Sequence, residues 1–213
     1  MKNKIFLSIE TSLNRIFITL YNRGSLFSIE KTVHSSIEVD LNLLIKDILD
    51  KHQTKFRDLD FILVSLGPGS YTGTRIGIAA AKAIALSIKK PLMGFSNFDA
   101  LLIQHQLEKC NSIYNELGIV IKANKNELYY QKVDGFKRGL MEVIQIKVLQ
   151  KKNTYPKIII GNLRESFNFN KYYYCLPSEK VALKLFQALY KNYKEGSRQF
   201  IDPYYIAGHY AEK

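Results

Sequence analysis

Two stretches of the 213-residue chain bring together residue types that could do chemistry. Glu10-Thr11-Ser12 places three oxygen-bearing side chains at the end of a short apolar run, Lys4 to Ile9. Gly67-Pro-Gly-Ser-Tyr-Thr-Gly-Thr-Arg75 places a glycine-rich turn ahead of a helix-forming run. Backbone N–H groups at a helix start bind anions, so this turn invites a phosphate-loop reading. The specific motifs fail. A P-loop needs Gly, four residues, then Gly-Lys-Ser/Thr; counting from Gly67 gives Thr72-Gly73, and from Gly69 gives Thr74-Arg75. The dinucleotide pattern needs a third glycine where Thr72 stands. An anion site or a tight turn with no ligand are both left open. The hydrolase elbow Gly-x-Ser-x-Gly is approached at Gly67-Pro-Gly-Ser70-Tyr and lacks its final glycine. His34, His52, His105 and His209 form no metal-binding pair. Glu10 is the best-placed acid for a nucleotide–Mg²⁺ site, with Thr11 beside it, but it has no second acid and reads as well as an ordinary loop residue.

These residues need elements to position them. Phe61 to Leu66 is short, β-rich and stopped by Gly67-Pro68-Gly69, so it predicts a buried strand. The helix after it starts near Thr72 or Thr74, with Thr72 as a cap, and runs to Lys90. Its inner charges, Arg75 and Lys82, share one narrow stripe with Lys89. Gly73, Gly77, Ala81 and Ala85 form a ridge of very small side chains, and Ile76, Ala80, Ile84 and Ile88 a bulkier ridge beside it. A helix apolar nearly all round is buried on more than one side. One side packs on the chain's own sheet, and the small ridge lets another backbone come close. That second cover comes from this chain or from a partner.

The remaining elements follow in order. Lys4–Ile9, Arg15–Tyr21 and Ser25–Thr32 are strands, with a hairpin turn at Asn22-Arg23-Gly24. An amphipathic helix spans 36–52, capped by Ser35 or Ser36, with Val39, Leu43, Leu44, Ile48 and Leu49 among its apolar positions. Pro91–Phe95 is a short strand and a helix runs on towards Leu107. The second half repeats the order: strands at Leu117–Ala123, Glu127–Asp134 and Leu140–Leu149, a strand at Lys157–Gly161, a short helix at Leu163–Phe167, a strand at Lys171–Cys175, and a helix from Ser178 to Tyr193 ending before Gly196. This predicts an α/β fold of two related lobes, each with a mixed five-stranded sheet, divided as 1–103 and 104–213. The tail, Asp202 to Tyr210, packs back.

Composition narrows the class. The formal charge is +12, spread as +4 over the first hundred residues and +8 over the rest. A basic chain gains affinity for nucleic acid, though a Lys-rich codon usage gives the same excess. The N-terminus lacks the apolar core of a signal peptide, and no run is long and apolar enough to cross a membrane. Cys110 and Cys175 are too few and too far apart for a disulfide framework. A cytoplasmic protein is expected.

Ser65-Leu-Gly-Pro-Gly-Ser-Tyr-Thr-Gly-Thr-Arg-Ile-Gly-Ile-Ala-Ala-Ala-Lys-Ala-Ile-Ala85 closely resembles the hallmark segment of the TsaB (YeaZ) family. Leu7-Ser-Ile-Glu-Thr-Ser12, His34-Ser35, Pro91-Leu-Met-Gly-Phe-Ser-Asn-Phe-Asp-Ala-Leu101, Glu127-Leu-Tyr129 and Asp202-Pro-Tyr-Tyr205 resemble its other segments, in order. The resemblance implies an actin/hexokinase-like (ASKHA) fold with two RNase H-like lobes. It implies a non-catalytic subunit in making N6-threonylcarbamoyladenosine (t6A) at adenosine 37 of tRNA. The implied partners are the catalytic relative TsaD, the ATPase TsaE, tRNA through the complex, and a second copy when the chain is alone. No cofactor is implied for this chain by itself; ATP or ADP and Mg²⁺ enter with the complex.

In that family the small-residue helix and the helix before it pack against TsaD or a second copy. The implied interface is Val39, Leu43, Gly73, Ile76, Gly77, Ala80, Ala81 and Ile84. Gly77→Leu or Ala81→Arg is then expected to abolish partner binding while the monomer stays folded. Glu10 stands where the family carries Asp, which leaves Glu10 and Thr11 as at most a vestigial cofactor site. Lys122-Ala-Asn124 stands for Asp-Ala-Arg, and Tyr205-Ile206 for Leu-Arg. Two other readings stay open: a small ASKHA kinase, ATPase or protease-like enzyme acting alone, and an RNA-binding module using the +12 charge.

Overall fold

The computed structural model describes residues 2–33, 36–109, 116–135, 137–151, 155–164, 171–194 and 200–206, without the side chains of 150 and 151. His34, Ser35, Cys110, Gly196, His209 and most of the helix expected at Leu163–Phe167 lie outside the described residues.

The chain divides into two compact units, residues 1–96 with 179–203 and residues 97–178 with 204–213. The first is built on a sheet of β1 (Ile5–Glu10), β2 (Arg15–Asn22), β3 (Ser25–Thr32), β4 (Phe61–Ser65) and β5 (Leu92–Phe95), in the order β3-β2-β1-β4-β5. β3, β2 and β1 are antiparallel, and β1, β4 and β5 parallel. A parallel pair needs a crossover, and α2 (Tyr71–Ile88) supplies it between β4 and β5. α1 (Ile37–Lys51) packs against α2.

Side chains alternate across a strand, so each sheet face has its own cover. Leu7 and Ile9 of β1 join Ile62 and Val64 of β4 in one core with Leu41 and Ile45 of α1 and Ile78, Ala81 and Ala85 of α2. Phe6 and Phe61 point the other way, into an aromatic cluster with Phe186 of α5 (Glu179–Lys191), at ring distances of 4.5 and 5.2 Å. That cluster draws α5 into the first unit. A boundary at residue 103 assigns α5 to the second lobe and α3 (Asn97–Glu108) largely to the first; the contacts group both helices the other way.

The second unit repeats the pattern. β6 (Glu116–Lys122), β7 (Glu127–Asp134), β8 (Lys137–Gln145), β9 (Ile158–Gly161) and β10 (Lys171–Tyr174) lie in the order β10-β9-β6-β7-β8. β8, β7 and β6 are antiparallel, and β6, β9 and β10 parallel. Val120, Leu128, Tyr130, Ile144 and Ile159 form the core on one face, and α3 packs on β6 and β9. The strand expected at Leu140–Leu149 ends at Gln145, where α4 (Ile146–Lys151) begins. Its apolar residues suit either element, and Ile146 is held by its N–H donating to the Asn126 carbonyl, 3.0 Å, so the chain turns there.

Candidate functional site

The two stretches singled out for chemistry meet. The N–H of Ser70 donates to the Ser12 carbonyl at 2.8 Å, and the Thr11 hydroxyl donates to the Gly73 carbonyl at 2.7 Å. The turn after β1 therefore lies across the start of α2. The glycines of α2 follow from that approach: a Cβ at Gly73 would overlap the Thr11 carbonyl oxygen, and one at Gly77 the Thr11 hydroxyl. Ser70, not Thr72, caps α2, its hydroxyl accepting from the Gly73 N–H at 3.2 Å, and the helix starts at Tyr71. The C-terminal turn of α2 closes on Lys89 in the left-handed region, φ 53°.

Glu10 faces inward. One carboxylate oxygen, Oε1, accepts from the Ser12 N–H (2.6 Å), the Ser12 hydroxyl (2.7 Å) and the Leu13 N–H (3.1 Å). The other, Oε2, is buried with no hydrogen bond and lies 4.0 Å from Arg15 Nε. Arg15 also pairs with Glu30 at 2.6 Å. Burial pushes the Glu10 carboxyl above its ordinary value, against the pull of Arg15 and the bonds from Ser12 and Leu13. The Ser12 and Leu13 N–H groups of the turn after β1 are thus taken by the chain's own carboxylate. Glu10 and Thr11, expected as at most a vestigial cofactor site, are both bonded within the chain. Among the described residues no three His, Cys, Asp or Glu side chains are grouped to hold a metal ion. Cys175 is buried, and burial pushes its thiol up to about 12, so it carries no thiolate near neutrality.

The eight residues expected to bind a partner fall into three groups. Gly73, Gly77 and Ala81 are buried within the chain. At Gly73 and Gly77 the chain's own β1 end makes the close approach that the small ridge signals, and Ala81 lies in the core. Ile76, Ala80 and Ile84 are half-buried and pack on the core shared with α1. Val39 and Leu43, 56% and 54% exposed, point to solvent.

Leu86, 80% exposed on the outer side of α2, was missed. A signal existed: Arg75, Ala79, Lys82 and Leu86 share one stripe, so the charges mark its solvent side and Leu86 is the large apolar residue on it. Ala79 and Ala83 are exposed beside it. Two cations of the stripe are engaged by this chain. Arg75 lies 3.8 Å over the Tyr71 ring, and Lys82 pairs with Asp202 at 3.2 Å, which ties residues next to the core-packed Ile201 onto α2.

Two units with one strand order, each sheet half antiparallel and half parallel, define an α/β protein of two like-ordered mixed five-stranded sheets. A family model described as TsaD: tRNA N6-adenosine threonylcarbamoyltransferase matches residues 31–160. The tRNA threonylcarbamoyladenosine biosynthesis protein TsaB of Buchnera aphidicola subsp. Acyrthosiphon pisum is 24% identical over 193 residues, 84% of this chain and 86% of that protein. The tRNA N6-adenosine threonylcarbamoyltransferase of Dictyoglomus turgidum is 30% identical over 140 residues, 58% of this chain and 42% of that protein. The solved structure of YeaZ from Pseudomonas aeruginosa superposes with a TM-score of 0.76 at 19% identity, covering 95% of this chain and 100% of that one. The chain belongs to the threonylcarbamoyltransferase (TsaD) family, in its TsaB/YeaZ branch.

Proposed function

We propose that this chain is the non-catalytic subunit of the complex that makes t6A at adenosine 37 of tRNA. The observation that carries the reading is the outer surface of α1 and α2. Two packed helices hold Val39, Leu43 and Leu86 in water, with Ala79 and Ala83 exposed on α2. Three large apolar side chains kept in water on one helix pair favour a protein partner. The partner is the TsaD-type catalytic subunit, and a second copy of this chain when that subunit is absent. TsaE, tRNA and any ATP or ADP with Mg²⁺ join at the level of the complex. The burial of Glu10 and the satisfied turn beside it support an assembly role over a nucleotide-binding one for this chain.

Reconstitution tests the reading. tRNA modification by the cognate catalytic subunit, TsaE and the threonylcarbamoyl-adenylate donor is expected to rise at least about tenfold on adding this chain, about 1.4 kcal/mol of transition-state stabilisation. Equal modification without the chain, or ATP or peptide hydrolysis by the purified chain alone, overturns it and favours the stand-alone enzyme.

A further inference from the structure

The segment after α5 returns to the face of the first sheet that carries α1 and α2. Phe186 of α5 packs on Phe6 and Phe61, on the opposite face, at ring distances of 4.5 and 5.2 Å. Ile201, 7% exposed, lies in the core that α1 and α2 share. The chain has therefore crossed from one face to the other by that point. The Lys82 ammonium of α2 then donates to the Asp202 carboxylate at 3.2 Å. Pro203 follows, and a proline biases the residue before it towards extended backbone. Residues 201–203 thus form a strap, pinned in the core at Ile201 and on α2 at Asp202.

The strap reaches α2 on the side away from α1. Ile76, Ala80 and Ile84 pack on the core shared with α1. At 3.6 residues per turn, Lys82 stands about 160° around the helix from Ala80. Leu86 lies one turn beyond Lys82 on the same outer stripe. Across the outer surface of the first unit, the order is α1 with Val39 and Leu43, α2 with Leu86, and then the strap. Phe200 stands just ahead of Ile201. It is 87% exposed, more than any other large apolar side chain among the described residues. Two residues span at most about 7 Å of chain, so Phe200 stays close to the Lys82–Asp202 pair.

α1 and α2 expose eight residues each. A stable contact uses about 20–30 residues a side, more than the helix pair offers. An aromatic ring in water on a pinned backbone is suited to supply the rest, because part of its ordering cost is met before a partner arrives. We propose, resting on the assembly role above, that Phe200 is a further anchor of the face that docks the catalytic subunit, and that the Lys82–Asp202 pair positions it. The matching feature on the partner is an apolar pocket of aromatic size, beside its contact with Leu86. Aromatic side chains that fill such pockets carry much of the energy of protein contacts. The pair is about half exposed and contributes little energy by itself; it holds the strap against α2.

Calorimetric titration of the full chain into its cognate catalytic subunit tests this. Phe200→Ala is expected to weaken the heterodimer about tenfold or more. Phe200→Leu, which keeps most of the apolar area, weakens it less than about threefold. Asp202→Asn weakens it about threefold, and Asp202→Glu binds as the parent does. All four variants keep the parent melting temperature. A Phe200→Ala chain that binds as the parent does overturns the proposal. So does an effect of Phe200→Ala on self-association alone, which makes a second copy the occupant. Asp202→Asn binding at parent strength overturns the positioning role of the pair. Where the parent binds and Leu43→Glu with Leu86→Glu does not, each of these results leaves the assembly role standing. A parent chain that forms no heterodimer overturns both.

Discussion

Glu10 shows that a residue's type does not fix what its side chain meets. An acid at the end of β1 reads as a ligand for a nucleotide's metal, but the turn it precedes folds back and its N–H groups close on Oε1. The sequence places Glu10 at the strand end and is silent on which way its side chain turns. Its pH behaviour follows from burial. The folded chain favours the protonated carboxyl, so as pH rises above the ordinary value of 4.5 the unfolded chain releases a proton that the folded one retains. Stability therefore falls with pH through that window, and the fall is complete above the raised folded value. Arg15, beside Oε2, limits the shift, and Glu30 in turn holds Arg15. Glu10→Gln removes the titration. Melting temperatures taken from pH 4.5 to 8 are expected to decline less for Glu10→Gln than for the parent chain; parallel curves contradict the assignment.

At the scale of the element, α2 was legible in its ridges and not in what covers them. Spacing by four identifies a face of very small residues, but periodicity names no partner, and here the partner is Thr11 of the same chain. The boundary of β8 was missed for a related reason: Leu140–Leu149 is uniformly apolar enough for a strand, and the break at Ile146 depends on its bond to Asn126, far along the chain. The inward ridge reverses the expected effect of substitutions. Gly73→Ala gains about 1 kcal/mol of helix propensity. The overlap with a backbone carbonyl, which no side-chain rotation relieves, outweighs it, for a net loss of about 1–2 kcal/mol. Gly77→Leu, with a larger side chain aimed at Thr11, costs more and disrupts the fold itself. Ala83→Glu, on the outer face, stays within about 0.5 kcal/mol of the parent. Urea denaturation distinguishes these cases; a Gly77→Leu chain as stable as the parent contradicts the packing of α2 on β1.

At the scale of the molecule, the order of elements was readable because each half runs strand, strand, strand and then mixed α/β, and the sheets carry that order as β3-β2-β1-β4-β5 and β8-β7-β6-β9-β10. The place of α5 was not readable, since an amphipathic helix near the C-terminus shows its apolar face without showing that Phe6 and Phe61 receive it. The outward surfaces of α1 and α2 carry the central claim, and Leu43 and Leu86 test it without disturbing the core, because both stand in water. A stable contact buries about 1,200–2,000 Å² in total, and a charge placed at its centre costs several kcal/mol. Light scattering on the chain mixed with its cognate catalytic subunit measures the outcome directly. The parent chain is expected to give the mass of a heterodimer, while Leu43→Glu with Leu86→Glu gives two separate subunits at an unchanged melting temperature. A heterodimer of full mass formed by that double variant would contradict the account.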